Sequence, residues 1–330
     1  MTSIRIPGVP GWVQRRIVFS IVVILAAIAL NFLIPRLMPG DITFYMTSST
    51  QPPSVAEGII RRLGLDKPMI TQFWIYLKDT FTFQYGNSFV SGDPVISMIK
   101  ERLPRTMLLL IPAQIISLII GYFLGVIAGW KAGGTKDSFI TGSSLIIWAM
   151  PMFWVGMVVL YIFAYLLGWF PLSGFMDVDN VGKSIGFFPT IADRINHIIL
   201  PTLTLATKYG AYELVMRNTM TITLKQNYII TAKAKGLSEF RVKHRHAARN
   251  AMMPTITAAA MRFATMIAGL IFIETIFSYP GMGKMIFDAV QRQDYPVIQA
   301  SFLFFALVTI ATIFVLDVVY ARLDPRVRYD

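Results

Sequence analysis

The chain has 330 residues, 55% of them hydrophobic and 15% charged, with a mean hydropathy of +0.59. That is more apolar side chain than one soluble core of this length needs, so the composition indicates a membrane protein. The net charge of +12 then reports basic cytoplasmic loops before it reports affinity for nucleic acid, and the absence of cysteine excludes disulfides, thiolate metal sites and a cysteine nucleophile.

In chain order, six apolar segments are long enough to span a bilayer, near residues 17–34, 106–130, 139–170, 198–216, 256–277 and 300–320; a crossing takes about 20 helical residues. Arg15 and Arg16 before an apolar run with Ala27-Ile28-Ala29 resemble a signal peptide. The run continues from Leu30 to Ile34 beyond that site, so an uncleaved span is expected. The third segment contains Pro151, and because each half is too short to cross alone it reads as one kinked helix. Lys208 and Glu213 interrupt the fourth.

Orientation follows from the basic residues. With the N-terminus inside, the cytoplasmic segments carry Arg5, Arg15 and Arg16, then Lys131 and Lys136, then eight Lys or Arg between 217 and 250, then Arg322, Arg326 and Arg328. The two short outer loops carry Lys183, Arg194, Lys284 and Arg292. The bias predicts a multi-pass protein of the cytoplasmic membrane with both termini cytoplasmic. Residues 35–104 form an extracytoplasmic loop region with room for capping helices, residues 217–254 form a cytoplasmic insert, and the whole chain, 1–330, reads as one transmembrane domain.

In the insert, Asn227 suits the N-cap of a short helix running through Lys235, and Gly236 suits the left-handed residue that ends it. Ser238 and Glu239 suit the start of a second helix, and Pro254 the first turn of the fifth span. Two helices joined at a glycine suggest a DNA-binding helix-turn-helix, but such a motif needs a third helix and its own core, and nucleic acid is not expected. Lipid headgroups account for the basic charge. They do not account for Ala232, Ala234 and Gly236, small residues that allow close backbone approach in a protein cleft.

Signatures of catalysis are missing. The nearest run to a phosphate-binding loop, SYPGMGKM, has Ser278 for the first glycine and Met285 for the hydroxyl residue. His197, His244 and His246 are the three histidines, with no H-E-x-x-H motif, so no metal site is expected, and no G-x-S-x-G elbow occurs. Charges inside the spans are informative because burying one in lipid costs several kcal/mol unless it faces water or a partner. They are Lys208, Glu213, Arg262, Glu274 and Asp317. Glu274 and Asp317 read as end-of-span groups that cap or pair. Arg262 lies eight residues past Pro254, about 12 Å into its helix, and is expected to face a neighbouring span or the pathway, with Glu213 or Asp317 as partner.

The run YIITAKAKGLSEFRVKHRHAARNAMMPTIT, with RLMPGD at 36–41, LGLDKP at 63–68, ERLPRT at 101–106, ETIFSYPGMG at 274–283, DYPVIQ at 294–299 and DPRVRY at 324–329, resembles the B-type permease of dipeptide and oligopeptide ABC transporters. The resemblance spans nearly the whole chain. It implies an all-α type I importer fold with six transmembrane helices, working as a pore-forming subunit rather than an enzyme. It further implies a homologous second permease in a heterodimer, two ATP-binding subunits that hold ATP and Mg, and an extracytoplasmic solute-binding protein. The segment Thr231, Ala232, Lys233, Ala234, Lys235, Gly236 and Leu237 would be the coupling helix that docks on the ATPase. The broader signature begins Glu-Ala-Ala, whereas this chain reads Ile230-Thr231-Ala232, so docking by a glutamate is not carried over.

The expected function is therefore import of peptides or similar oligomeric solutes, with an oligosaccharide or a nickel complex as alternatives that the binding protein would select. An ion-driven secondary transporter using Lys208, Glu213 and Arg262 as a relay is the competing reading, and a membrane anchor the plainest one. Absence of inverted repeats and paired broken helices argues against the relay, and charges at depth argue against the anchor.

Overall fold

A computed structural model describes residues 11–37, 54, 57, 58, 60, 61, 64–183 and 185–323, with the side chains at 12, 35, 260, 264, 265, 268 and 316–323 outside the description. The run DPRVRY and the C-terminal basic residues Arg326 and Arg328 lie outside the described residues, as does the side chain of Asp317. Among the described residues every regular element is helical, and one isolated bridge pairs Asn87 with Pro94.

The order is α1 (Gly11–Leu37), α2 (Met69–Phe81), α3 (Val95–Trp130), α4 (Thr135–Ala149), α5 (Met152–Val159) with a π-helical continuation (Leu160–Leu166), α6 (Phe187–Ala206), a 3-10 turn (Thr207–Tyr209), α7 (Gly210–Thr223), α8 (Asn227–Ala234), α9 (Glu239–Arg241), a π-helical segment (Val242–Ala248), α10 (Arg249–Ile276), α11 (Met282–Gln291) and α12 (Tyr295–Leu323). Three helices are long and apolar enough to cross a bilayer, at Val13–Ile34, Val95–Trp130 and Tyr295–Val315, and the pair Thr135–Ala149 and Met152–Leu166 makes a fourth if it crosses as one.

That pair is bent by 97°, a break rather than the expected kink. The cause is local. Pro151 excludes its predecessor from the helical region, and Met150 (φ −63, ψ 137) and Pro151 (φ −56, ψ 132) are both extended, so two residues leave the helix and not one hydrogen bond only. The predicted fourth span is likewise two helices, α6 and α7, separated by the 3-10 turn that contains Lys208.

The chain forms two compact units. One holds α1, α2, α3 as far as Thr106, α11 and α12 to Val315. There Asn31 and Gln299 bond reciprocally: Asn31 Nδ2 donates to the Gln299 carbonyl at 2.8 Å and to Tyr76 Oη at 2.9 Å, and Gln299 Nε2 donates to the Asn31 carbonyl at 3.2 Å. Arg36 lies 3.6 Å from the centroid of the Phe32 ring and donates from Nε to Gln72 Oε1 at 3.0 Å; burial pulls its guanidinium down to about 10, partly opposed by Tyr76. Asp294 accepts from Ser88 Oγ at 2.5 Å and from the Phe89 amide at 3.0 Å. Two residues of the DYPVIQ run, Asp294 and Gln299, are thus tie points within this unit.

The other unit holds α3 from Met107 and the chain from α4 to Tyr279. Within it α3 and α7 approach closely. Gly121, Gly125 and Gly129 recur every four residues along one face of α3, where a Cβ on Gly121 would lie 2.6 Å from Tyr212 Cβ, one on Gly125 2.6 Å from the Glu213 carbonyl, and one on Gly129 2.7 Å from Met220 Cβ. Small residues at that spacing let two backbones touch, which is how helices associate where lipid removes any hydrophobic drive.

This packing predicts a ranking of glycine substitutions. Gly125→Ala should cost about 1–3 kcal/mol, because the obstructing atoms are α7 backbone and cannot rotate away. Gly142→Ala on α4, where a Cβ meets nothing within 4 Å, should be neutral or stabilise by up to about 1 kcal/mol. Thermal unfolding of the two purified variants in detergent checks the order, and equal midpoints would rule out a backbone-level α3–α7 contact.

Candidate functional site

The insert is built on one helix end. Gly236 has φ +72, its amide donates to the Lys233 carbonyl at 3.0 Å, and the Leu237 amide donates to the Ala232 carbonyl at 3.4 Å. That is the Schellman pattern, in which a left-handed residue, most easily glycine, satisfies the last carbonyls of a helix. A Cβ on Gly236 would meet nothing within 4 Å, so backbone conformation, not crowding, requires the glycine. Ser238 occupies the N-cap of α9. Two local expectations are corrected: Gln226, not Asn227, is at the N-cap of α8, and Pro254 lies inside α10 rather than in its first turn, because the chain stays helical from Glu239 through the π-helical segment.

The faces of α8 separate cleanly. Ile229 and Ala232 are buried in a cluster with Val126, Met216, Met220, Val242, Ala247, Ala248 and Ala251, and Leu237 packs against it. Ala232 is thus small because it faces this chain's own core, and it is not available to a cleft on another protein. The outward face carries Tyr228, Ile230, Thr231, Lys233, Ala234, Lys235 and Gly236, all exposed, with Ile230 at 58%, and Phe240 on α9 is exposed at 72%. Lys233 Nζ lies 5.7 Å from the Trp130 ring. Burial, followed by neighbouring Lys243, pulls the His244 imidazole below its usual value, and the ring lies 4.6 Å from that of Phe240.

The charges within the apolar segments have different surroundings. Lys208 Nζ donates to the carbonyls of Trp148 at 2.9 Å and Met150 at 2.6 Å. These acceptors are released by the break before Pro151, and a cation there also suits the negative end of α4. Arg262 lies 5.6 Å from the Trp148 ring. Glu213 is fully buried, accepts from Thr141 Oγ1 at 3.1 Å, and has no hydrogen-bond partner at Oε2, so the bond to Arg262 weighed from the sequence is not formed. Glu274 is buried in the last turn of α10, where its carbonyl accepts from the Tyr279 amide at 2.7 Å.

One buried ion pair is marked by no pattern in the sequence. Arg217 places a two-pronged grip on Asp137, from Nη2 at 2.6 Å and from Nε, and Asp137 also accepts from the Gly133 amide at 2.7 Å and Thr141 Oγ1 at 3.2 Å. Its carboxylate is 3% exposed and the Arg217 side chain 26%. Both residues lie at the borders of apolar segments, where a charge needs no partner, so only the fold marks them. The glycine spacing 121, 125, 129, by contrast, was readable as a helix-contact motif.

Asp137→Asn or Arg217→Gln alone should each lower stability by about 2–4 kcal/mol, since the first strands a largely buried guanidinium and the second a buried carboxylate. The double variant should recover part of that loss. Thermal unfolding of the four proteins measures the coupling, and strictly additive losses would show that the grip contributes nothing of its own.

Comparison with known proteins agrees with this arrangement. Residues 121–329 match the family model described as binding-protein-dependent transport system inner membrane component, and residues 11–110 match the N-terminal model of the same membrane component. Similar proteins include an oligopeptide transport system permease of Bacillus subtilis, 34% identical with 97% of this chain and 99% of that protein covered. A di/tripeptide transport system permease of Pseudomonas aeruginosa is 33% identical at 97% and 99% coverage, and a dipeptide transport system permease of Alkalihalophilus pseudofirmus 32% identical at 97% and 99%. With every regular element helical among the described residues and 97% of its length matched by transporter permeases, the chain belongs to the binding-protein-dependent transport system inner membrane component family, as a permease subunit of an ABC importer and not an enzyme.

Proposed function

We propose that the chain is one half of a permease heterodimer that imports peptides, coupled to two ATP-binding subunits through the outward face of α8. The observation that carries the docking assignment is the two-sidedness of that helix. Ile229 and Ala232 lock it to the core while Tyr228 and Ile230 stand in solvent, an apolar pair ringed by Lys233 and Lys235. Exposed apolar side chains on a rigidly anchored element suit a protein partner better than water. The docking residues are thus Tyr228 and Ile230 together with Thr231, Lys233, Ala234, Lys235 and Gly236, and the set departs from 231–237 in giving Ala232 and Leu237 the inner, anchoring role.

ATP and Mg are held by the partner subunits, and a binding protein delivers the solute. Peptide is the substrate class named for the relatives in Bacillus and Pseudomonas, and nearly full-length similarity to both supports carrying it over. The six-span layout with cytoplasmic termini is supported by the distribution of basic residues. It places α8 on the ATPase side. Lys208, engaged by two backbone carbonyls, serves the broken α4–α5 pair and not an ion relay, which leaves the secondary-transporter reading without its first member. Glu213, Arg262, Glu274 and Asp317 remain the residues assigned to the pathway or to pairing beside it.

Two measurements test this reading. Reporter fusions between residues 217 and 250 should report cytoplasm and fusions between 54 and 93 the outside; a cytoplasmic signal from the latter overturns the layout. Ile230→Asp and Gly236→Val should still insert in the membrane yet lose the ATP-binding subunits on purification, or lose substrate-stimulated hydrolysis. Lys243→Ala/Arg245→Ala should retain both, because it removes lipid-facing charge worth a few kcal/mol at most. Normal coupling in Ile230→Asp would reject the docking face.

A further inference from the structure

Between α5 and α6 the chain folds back onto α6 at a point the transport reading does not use. Asp193 and His197 lie one turn apart on α6, and Asp177 sits in the preceding loop. The loop is fastened to Asp193: the Asp177 amide donates to its carboxylate at 3.2 Å, and Asn180 Nδ2 donates to Oδ2 at 2.8 Å. His197, whose side chain is 2% exposed, turns Nδ1 toward the Asp193 carbonyl at 2.9 Å and its carboxylate Oδ1 at 3.1 Å.

Both groups facing Nδ1 are acceptors, so Nδ1 carries the ring proton. In the neutral ring Nε2 then presents a lone pair, and that lone pair faces another acceptor, Asp177 Oδ1, at 3.7 Å. The distance exceeds a hydrogen bond, which needs about 2.7–3.2 Å. It is close to the spacing of two ligands on one metal ion: bonds of about 2.1 Å at octahedral or tetrahedral angles set neighbouring donors about 3.0–3.5 Å apart. One ligand atom from each of Asp177, Asp193 and His197 lies within 4.8 Å of the other two. A carboxylate orienting the second ring nitrogen of a ligating histidine is the usual support of such a site.

We propose that Asp177 and His197 bind a divalent cation of the zinc class, with Asp193 orienting the imidazole and water completing the coordination. Mixed nitrogen and oxygen donors favour a borderline ion such as Zn²⁺ over Ca²⁺ or Mg²⁺, which take oxygen alone. The ion would clip the loop before α6 onto that helix. No short-range sequence motif shows the site, because Asp177 reaches His197 only through the loop's return.

The test uses the full-length protein, purified in detergent through a tag without histidine, stripped with EDTA and titrated with Zn²⁺ by calorimetry and with Co²⁺ by visible absorption. One equivalent per chain is expected. His197→Gln should abolish binding, and Asp177→Asn, at an exposed position where folding is not at risk, should weaken it about tenfold or more. His244→Gln/His246→Gln should bind as the unaltered protein does. Absence of stoichiometric Zn²⁺ binding, or unchanged affinity in Asp177→Asn, overturns the proposal and leaves His197 as a tie between α6 and its preceding loop. Should His197→Gln fail to fold, the Asp177→Asn titration decides alone.

Discussion

Close contact between α3 and α7 is the constraint on which the second unit depends. In lipid an apolar side chain gains nothing by leaving one apolar surface for another, so helices are held by fit and by polar contacts. Gly121, Gly125 and Gly129 remove the side chains that would hold α7 away, bringing α3 against the backbone of Glu213 and Arg217. With α7 so placed, the Arg217 guanidinium meets Asp137 on α4, and Tyr212 Oη donates to Gln114 Oε1 at 3.0 Å. The polar contacts follow from the packing, since their donors and acceptors have definite positions only after the backbones touch.

The insert at residues 217–254 inherits this rigidity. Met216 and Met220 of α7, Ile229 and Ala232 of α8, Ala247 and Ala248 of the π-helical segment and Ala251 at the base of α10 share one buried cluster, so α8 is fixed at both of its connections and across its inner face. Under the docking proposed above, a displacement of α8 by the ATP-binding subunits passes to α7 and α10 without first unfolding a linker. The π-helical segment Val242–Ala248 lies between the proposed docking face and α10, and such segments are frequent at functional sites. The Schellman end at Gly236 keeps α8 short, and its 8 residues span about 12 Å.

Breaks elsewhere are compensated locally. Pro151 splits the α4–α5 pair by 97° and frees carbonyl groups, which would be expensive in an apolar setting. Lys208, carried in on the 3-10 turn between α6 and α7, supplies the donors. Lys208, a charge within an apolar run, is engaged by backbone carbonyls, while Arg217, just outside that run, grips Asp137.

What the amino-acid order determined by itself was whatever depends on near neighbours and composition. Hydropathy gave the apolar helices, Gly236 the end of α8, Ser238 the start of α9, and the ordered runs the transporter family, because helix ends and motif spacing are written in adjacent residues. Only the tertiary structure decided which way each side chain faces and whom it meets. Ala232 turned inward, Lys208 went to carbonyls 58 and 60 residues away, and Asp137 found Arg217 across 80 residues. The physical reason is that helical spacing restricts a residue to a face of its own helix, whereas its partner is set by how closely a second helix is allowed to approach.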